Sequence, residues 1–205
     1  MVERQALCDT LVEVGQDAPT LCGEWTTRDL AAHLVVRDRR PDAAPGLVTS
    51  CMADYTEHVR ATEAERPYGE IVDRVRKGPP RWSPLRVDAL DRLANSLEFF
   101  VHHEDIRRAH RPFTPRDLDP DLEDALADGI DKGGRFLTRR LAVGLAFEPD
   151  GRPTITAREG PDRVTVAGPI GECALFVYGR KDVAQVTVRG PAAAITKVRE
   201  APLGL

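Results

Sequence analysis

The residues of this 205-residue chain best suited to chemistry lie in the stretch Leu97-Glu98-Phe99-Phe100-Val101-His102-His103-Glu104-Asp105. Glu98 and His102 are four residues apart, so on a helix both side chains leave the same face, one turn apart. Alternating steps of four and three extend that stripe to Asp91, Asn95, Glu98, His102 and Asp105. Beside it run Leu90, Leu93, Ala94, Leu97 and Val101, with Phe100 widening the apolar side, and an apolar stripe faces a core. The polar row at its border therefore points at solvent or into a cleft between helices. His33 occupies the same kind of border on another amphipathic stretch, beside Leu30, Ala31, Leu34 and Val35.

Two readings of these residues stay open. A carboxylate and an imidazole at i, i+4 make an exposed pair worth a few tenths of a kcal/mol, and a single His33 beside an apolar stripe serves as a hydrogen-bonded border residue. Together, however, they allow a metal site. Helical bundles build such sites from inward Glu and His on facing helices, and two His plus one Glu with an open fourth position is a ligand set of hydrolytic zinc. That reading requires His33 and His102 to face each other across a helix pair, which the spacing permits. Asp105 is then placed to accept from a ligand imidazole. Arg37 and Arg40, on the side of His33, would rim the cleft with positive charge; solvated surface arginines are the other reading.

The remaining candidates carry less. His103 points about 100° away from His102. His58 is expected to be exposed, and His110 sits at a helix C-terminus, where the dipole alone favours it. There is no G-x-G-x-x-G, Walker loop, G-x-S-x-G elbow or H-E-x-x-H. Gly168-Pro169-Ile170-Gly171 can seat an anion, but it reads as a strand-to-helix turn.

The elements that must position these residues are mostly helical. Residues 3–14 read as a first helix that Gly15 stops. Trp25 precedes Thr26-Thr27-Arg28-Asp29, where Thr26 and Asp29 can form a capping box, and the second helix runs from there to about Arg39. Pro41 breaks it, and Pro45-Gly46 opens a third helix carrying Leu47, Val48, Cys51, Met52, Tyr55 and Val59. Tyr68 to Lys77 forms a short fourth segment. A loop through Trp82 and Pro84 leads to the long helix, roughly 86–110. Asp119-Pro120 starts a helix reaching about Leu141. From there the pattern changes to strands at 143–148, 154–158, 164–167 and 185–188, with Asp150-Gly151 as a hairpin signal and helices at 170–178 and 192–200. The expected architecture is a two-part α+β protein: a helical bundle over 1–112, a connecting helix over 113–142, and a small α+β domain over 143–205.

Composition limits the partners. A net charge of −4 invites neither nucleic acid nor an anionic membrane, and no apolar run approaches the ~18 residues of a membrane span. The N-terminal residues lack the order of a signal peptide, so the cytoplasm is the expected location. Cys8, Cys22, Cys51 and Cys173 form no C-x-x-C pair, which argues against a disulfide framework or zinc knuckle and reads them as small buried hydrophobes.

Trp25-Thr26-Thr27-Arg28-Asp29-Leu30-Ala31-Ala32-His33-Leu34, followed by Glu98-Phe99-Phe100-Val101-His102 and Asp105, resembles the metal-binding domain of mycothiol-dependent maleylpyruvate isomerases. The resemblance implies a DinB-like four-helix bundle in which His33, Glu98 and His102 are zinc ligands, with the open position taking water or the mycothiol thiol. Gly168-Pro169, Val177-Tyr178-Gly179-Arg180 and Val186-Thr187-Val188-Arg189-Gly190 are similar to that family's small sterol-carrier-like α/β domain. His103-Glu104 departs from the Gly-Trp found there in many relatives, and Arg39-Arg40-Pro41-Asp42-Ala43-Ala44-Pro45-Gly46 departs from the usual phrase. These departures look like the mark of a separate branch, to which the metal site should carry over and the isomerase substrate need not.

The expected function is metal- and thiol-dependent isomerisation or transfer on a small electrophile, with Arg37, Arg40 or Arg180 holding a substrate carboxylate. A zinc hydrolase is one alternative. A non-catalytic binder of small molecules or lipids, with a structural or vestigial metal, is the other. Monomer and homodimer are both compatible with the sequence.

Overall fold

The structure, a computed structural model, describes residues 2–40, 42, 53–80, 88–109 and 112–204, without the side chains of 88–95. The expectations for Asp91, Asn95, Cys51, Met52, Trp82, His110 and the start of the third helix lie outside these residues. The protein is of mixed helix and sheet type, and it divides into two compact units, Met1–Pro115 and Arg116–Leu205.

The first unit holds α1 (Val2–Val14), α2 (Thr27–Arg39), α3 (Ala53–Ala64), α4 (Tyr68–Lys77) and α5 (Asp88–Arg107). Each has an apolar side that is buried against its neighbours. Leu7 and Leu11 of α1, Leu30, Leu34 and Val35 of α2, Ile71 and Val75 of α4, and Phe99 and Ile106 of α5 meet in one cluster. Gly15 ends α1 at φ +81, a backbone conformation that glycine adopts without steric cost. Arg4 ties the helices together: from α1 its guanidinium pairs with Asp38 of α2, donates to the Val75 carbonyl of α4 at 2.9 Å and lies 4.1 Å above the Phe99 ring of α5.

Residues 97 to 106 of α5 are buried on every side. His103, on the face away from His102, is not solvated. It meets Glu3 Oε1 and Thr10 Oγ1 of α1, each at 2.8 Å. Glu104 is also fully buried and is bonded by Arg108 and Arg107. Both faces of this helix end thus carry polar groups with partners, which buried polar groups require.

The second unit runs α6 (Pro120–Leu137), β1 (Leu145–Pro149), β2 (Ile155–Arg158), β3 (Val164–Gly168), α7 (Ile170–Val177), β4 (Thr187–Arg189) and α8 (Ala192–Glu200). The sheet order is β2-β1-β3-β4, with the central pair β1/β3 parallel and both outer pairs antiparallel. Asp150-Gly151 turns the chain between β1 and β2, with Gly151 at φ +68. The Asp119 carboxylate accepts from the Leu122 N–H and Pro120 follows it, so α6 begins at the N-cap its sequence signals. α6 packs on β2 and α7, and Phe147 meets Phe176 edge to face at 6.3 Å.

Two adjacent glycines of α6 test this packing with opposite signs. A Cβ on Gly134 would meet Ala157 Cβ at 2.9 Å and its Cα at 3.2 Å, whereas one on Gly133 meets nothing closer than Leu137 Cδ1 at 3.9 Å. Gly134→Ala is expected to destabilise by about 1–3 kcal/mol through overpacking. Gly133→Ala is expected to stabilise by about 0.5–1 kcal/mol through helix propensity. Urea unfolding followed by circular dichroism measures both.

Candidate metal centre

Two helices and one loop build the site, all within the first unit. α2 presents His33 and Arg37, one turn apart, and α5 presents Glu98, His102 and Asp105. The start of α2 is fixed by Asp29, whose carboxylate accepts from both the backbone N–H and the hydroxyl of Thr26, at 3.0 and 2.7 Å. Arg60 of α3 adds an ion pair to Asp29 at 2.6 Å and stacks on Trp25, 5.2 Å from its ring. Trp25 in turn packs its ring 5.2 Å from that of His33. The capping phrase therefore positions His33, seven residues after Thr26.

His33 and His102 face each other, their rings 5.3 Å apart and nearly perpendicular. Glu98 lies between them: its Oε1 is 3.6 Å from His33 Nε2 and 3.8 Å from His102 Nε2. Donor atoms of all three residues fall within 4.8 Å of one another. Bonds of about 2.0–2.2 Å from a tetrahedral zinc to N and O place ligand atoms roughly 3.3 Å apart, so a small contraction around an ion brings these three into range. The residues present fit a divalent cation.

The surroundings support that donor set. Arg37 Nε binds the other Glu98 oxygen, Oε2, at 2.6 Å, which turns Oε1 toward the two imidazoles. On its far side, His102 Nδ1 lies 3.0 Å from Asp105 Oδ2, and Asp105 is fully buried. A proton on Nδ1 and a bare Nε2 is the tautomer this contact favours, as for a ligating histidine. Burial alone would raise the Glu98 carboxyl. Arg37, the His33 hydrogen bond and the charge of His102 outweigh it and hold the group at about 2. Burial is the main influence on His33 and keeps its imidazole below the ordinary value, although Glu98 pulls the other way. An ionised carboxylate beside a neutral imidazole is the state a cation binds.

The other residues singled out from the sequence have contacts or settings of their own. Arg40 is exposed and forms a forked pair with Asp42 that Tyr55 joins. Arg180 belongs to the second unit, where it donates to the Tyr178 carbonyl. His58 is exposed. One neighbour was not legible beforehand. Cys22, read as a small buried hydrophobe, sits on the loop before Trp25 with its Sγ 3.1 Å from Asp105 Oδ2 and 3.9 Å from His102 Nδ1. No spacing links Cys22 to α5; only the tertiary fold does.

A helical unit with a His/Glu/His cluster, joined in one chain to an α/β unit, is the class these features define. The fold matches a solved structure of the mycothiol-dependent maleylpyruvate isomerase at a TM-score of 0.61 and 15% sequence identity, covering 100% of this chain and 92% of that one. A histidine-to-alanine mutant of that isomerase matches at 0.60, with the same identity and coverage. No protein-family model and no curated protein matches the sequence. Among the described residues no helix is long and apolar enough to cross a membrane.

Asp29 offers a test of how α2 is held. Burial opposes its ionisation, but the two Thr26 bonds and Arg60 prevail and hold its carboxyl below the usual value. A depressed folded-state value gives stability that is present above the unfolded value of about 4 and lost as pH falls through the folded value. Asp29→Ala is expected to cost about 1 kcal/mol at pH 7. Its deficit against wild type should shrink as the pH is taken below 4, read by denaturant unfolding at each pH.

Proposed function

We propose that the first unit binds one divalent cation, zinc by its donor set, through His33 Nε2, His102 Nε2 and Glu98 Oε1, and that the protein is a thiol-dependent isomerase or transferase. The observation that carries this reading is the convergence of three donors from two helices in a buried setting, with Asp105 behind one imidazole and Arg37 behind the carboxylate. The fold likeness to the mycothiol-dependent isomerase supports the thiol co-substrate. In this reading the first unit is a DinB-like bundle and the second a sterol-carrier-like domain.

Bound zinc lowers the pKa of a coordinated thiol or water. The chain's own residues hold and orient. Glu98 is a ligand rather than a base, since Arg37 keeps it ionised and turned toward the histidines. Asp105 holds the His102 proton on Nδ1. Trp25, Cys22 and His33 are partly exposed, so small molecules would reach the cluster from their side. The thiol-dependent reaction would be addition to an electrophilic carbon of a small substrate, and rotation followed by elimination of the same thiol would isomerise a double bond and return the thiol unchanged. A substrate carboxylate would compete with Glu98 for Arg37.

Calorimetric zinc titration tests the site, and His102→Ala is expected to abolish uptake. Asp105→Asn, which retains the volume, is expected to weaken zinc binding about 10–100-fold. Turnover of α,β-unsaturated carboxylates should require both zinc and a low-molecular-weight thiol. Turnover with zinc but no thiol would indicate a hydrolase instead. Zinc-independent stabilisation by lipid-like ligands, with no effect of thiols, would indicate a binding protein.

A further inference from the structure

His102 presents two nitrogens to two different sets of donors. Its Nε2 faces His33 and Glu98, while its Nδ1 faces Asp105 Oδ2 at 3.0 Å and Cys22 Sγ at 3.9 Å. Cys22 Sγ is 3.1 Å from the same Asp105 oxygen, so S, N and O close a triangle with all edges inside 4.8 Å. Zinc bond lengths of about 2.3 Å to sulfur and 2.0–2.2 Å to nitrogen and oxygen imply edges of roughly 3.3–3.6 Å in a tetrahedral site, and a larger ion requires the triangle to open further. The triangle already matches them to within a few tenths of an ångström.

The loop that carries the thiol is built rather than incidental. The Leu21 N–H donates to the Asp105 carbonyl at 3.0 Å, which fastens the loop to α5. Within it the Cys22 N–H donates to Thr20 Oγ1 at 3.1 Å, the Thr20 hydroxyl to the Trp25 carbonyl at 2.8 Å, and the Trp25 N–H to the Cys22 carbonyl at 3.3 Å. Pro19 and Thr26 pair across its base. His102 and Asp105 are buried, whereas Cys22 retains some exposure through which an ion can enter.

We propose that Cys22 Sγ, His102 Nδ1 and Asp105 Oδ2 form a second, softer metal site, suited to a thiophilic divalent ion such as cadmium, back to back with the His33/Glu98/His102 group. On binding, the Cys22 thiol loses its proton to solvent and the imidazole proton moves from Nδ1 to Nε2. An ion on the Nε2 side requires the opposite tautomer, with the proton on Nδ1 facing Asp105. At neutral pH the two groups therefore exclude one another and the chain takes one ion. A borderline ion takes the N/N/O set, and a softer one takes the set containing sulfur. The other described cysteines do not compete: burial, the main influence, pushes Cys8 up to about 11 and Cys173 up to about 12.

Cd²⁺ titration of wild type, His33→Ala and Cys22→Ser, followed by ultraviolet absorption and calorimetry, tests this. Thiolate-to-cadmium charge-transfer absorption is expected in wild type and in His33→Ala, saturating at one ion per chain. It should be absent in Cys22→Ser, whose circular dichroism should match wild type. Cadmium bound by wild type without that absorption would overturn the proposal, as would absorption that survives Cys22→Ser. The outcome is separable from that of the zinc site: His33→Ala should lose zinc while keeping the cadmium signal. Wild type that binds no zinc yet shows the cadmium absorption would remove the first reading and leave this one standing.

Discussion

A carboxylate taken out of water must be neutralised where it lies, and Glu98 is that carboxylate. Left buried without its counter-charge it would cost about 3–5 kcal/mol. The fold supplies Arg37 at 2.6 Å on one oxygen and two imidazoles on the other. Meeting that requirement fixes the placement of α2 on α5, since His33 and Arg37 both leave α2 on the side that Glu98 faces. The same arrangement divides the carboxylate into a held oxygen and a presented one. A cation would find the presented oxygen beside two nitrogens without any rearrangement of the helices.

The surrounding polar groups act at successive distances from that point. Asp105 faces Nδ1 of the His102 ring at 3.0 Å and favours a proton there. The Asp29 cap and Arg60 seat the start of α2, and Trp25 passes that placement on to His33 through ring contact. On the opposite face of α5, His103 is held by Glu3 and Thr10. α5 is thus anchored polar-to-polar on two sides as well as by its apolar residues. Shifting it by one turn would break both sets of bonds at once, which is why a buried polar network specifies register more sharply than apolar packing does.

Much of this was legible because helices repeat every 3.6 residues. Glu98, His102 and Asp105 share a face by spacing alone, and His33 and Arg37 do so on α2. What spacing cannot give is which helices face each other, and so the burial of His103 and the role of Arg37 became visible only in the fold. Cys22 shows the same limit. It lies on a loop, where no periodicity applies, and it reaches Asp105 because the Leu21 N–H fastens that loop to α5. In the second unit, short β-formers bounded by Gly and Pro marked the strands, but the parallel pairing of β1 with β3 across the intervening β2 is a long-range choice that local pattern does not encode. The packing of α6 on β2 and α7 is of the same kind: a helix that reads as a connection by its position packs as part of the second unit.

Everything proposed for this site rests on one cation held between α2 and α5 by these three residues. The most direct measurement is anomalous diffraction at the zinc edge from crystals of the untagged protein loaded with one equivalent of zinc. A single strong peak is expected within about 2.0–2.2 Å of His33 Nε2, His102 Nε2 and Glu98 Oε1. Fully loaded crystals with no peak there, or with the peak bonded to other side chains, would contradict it.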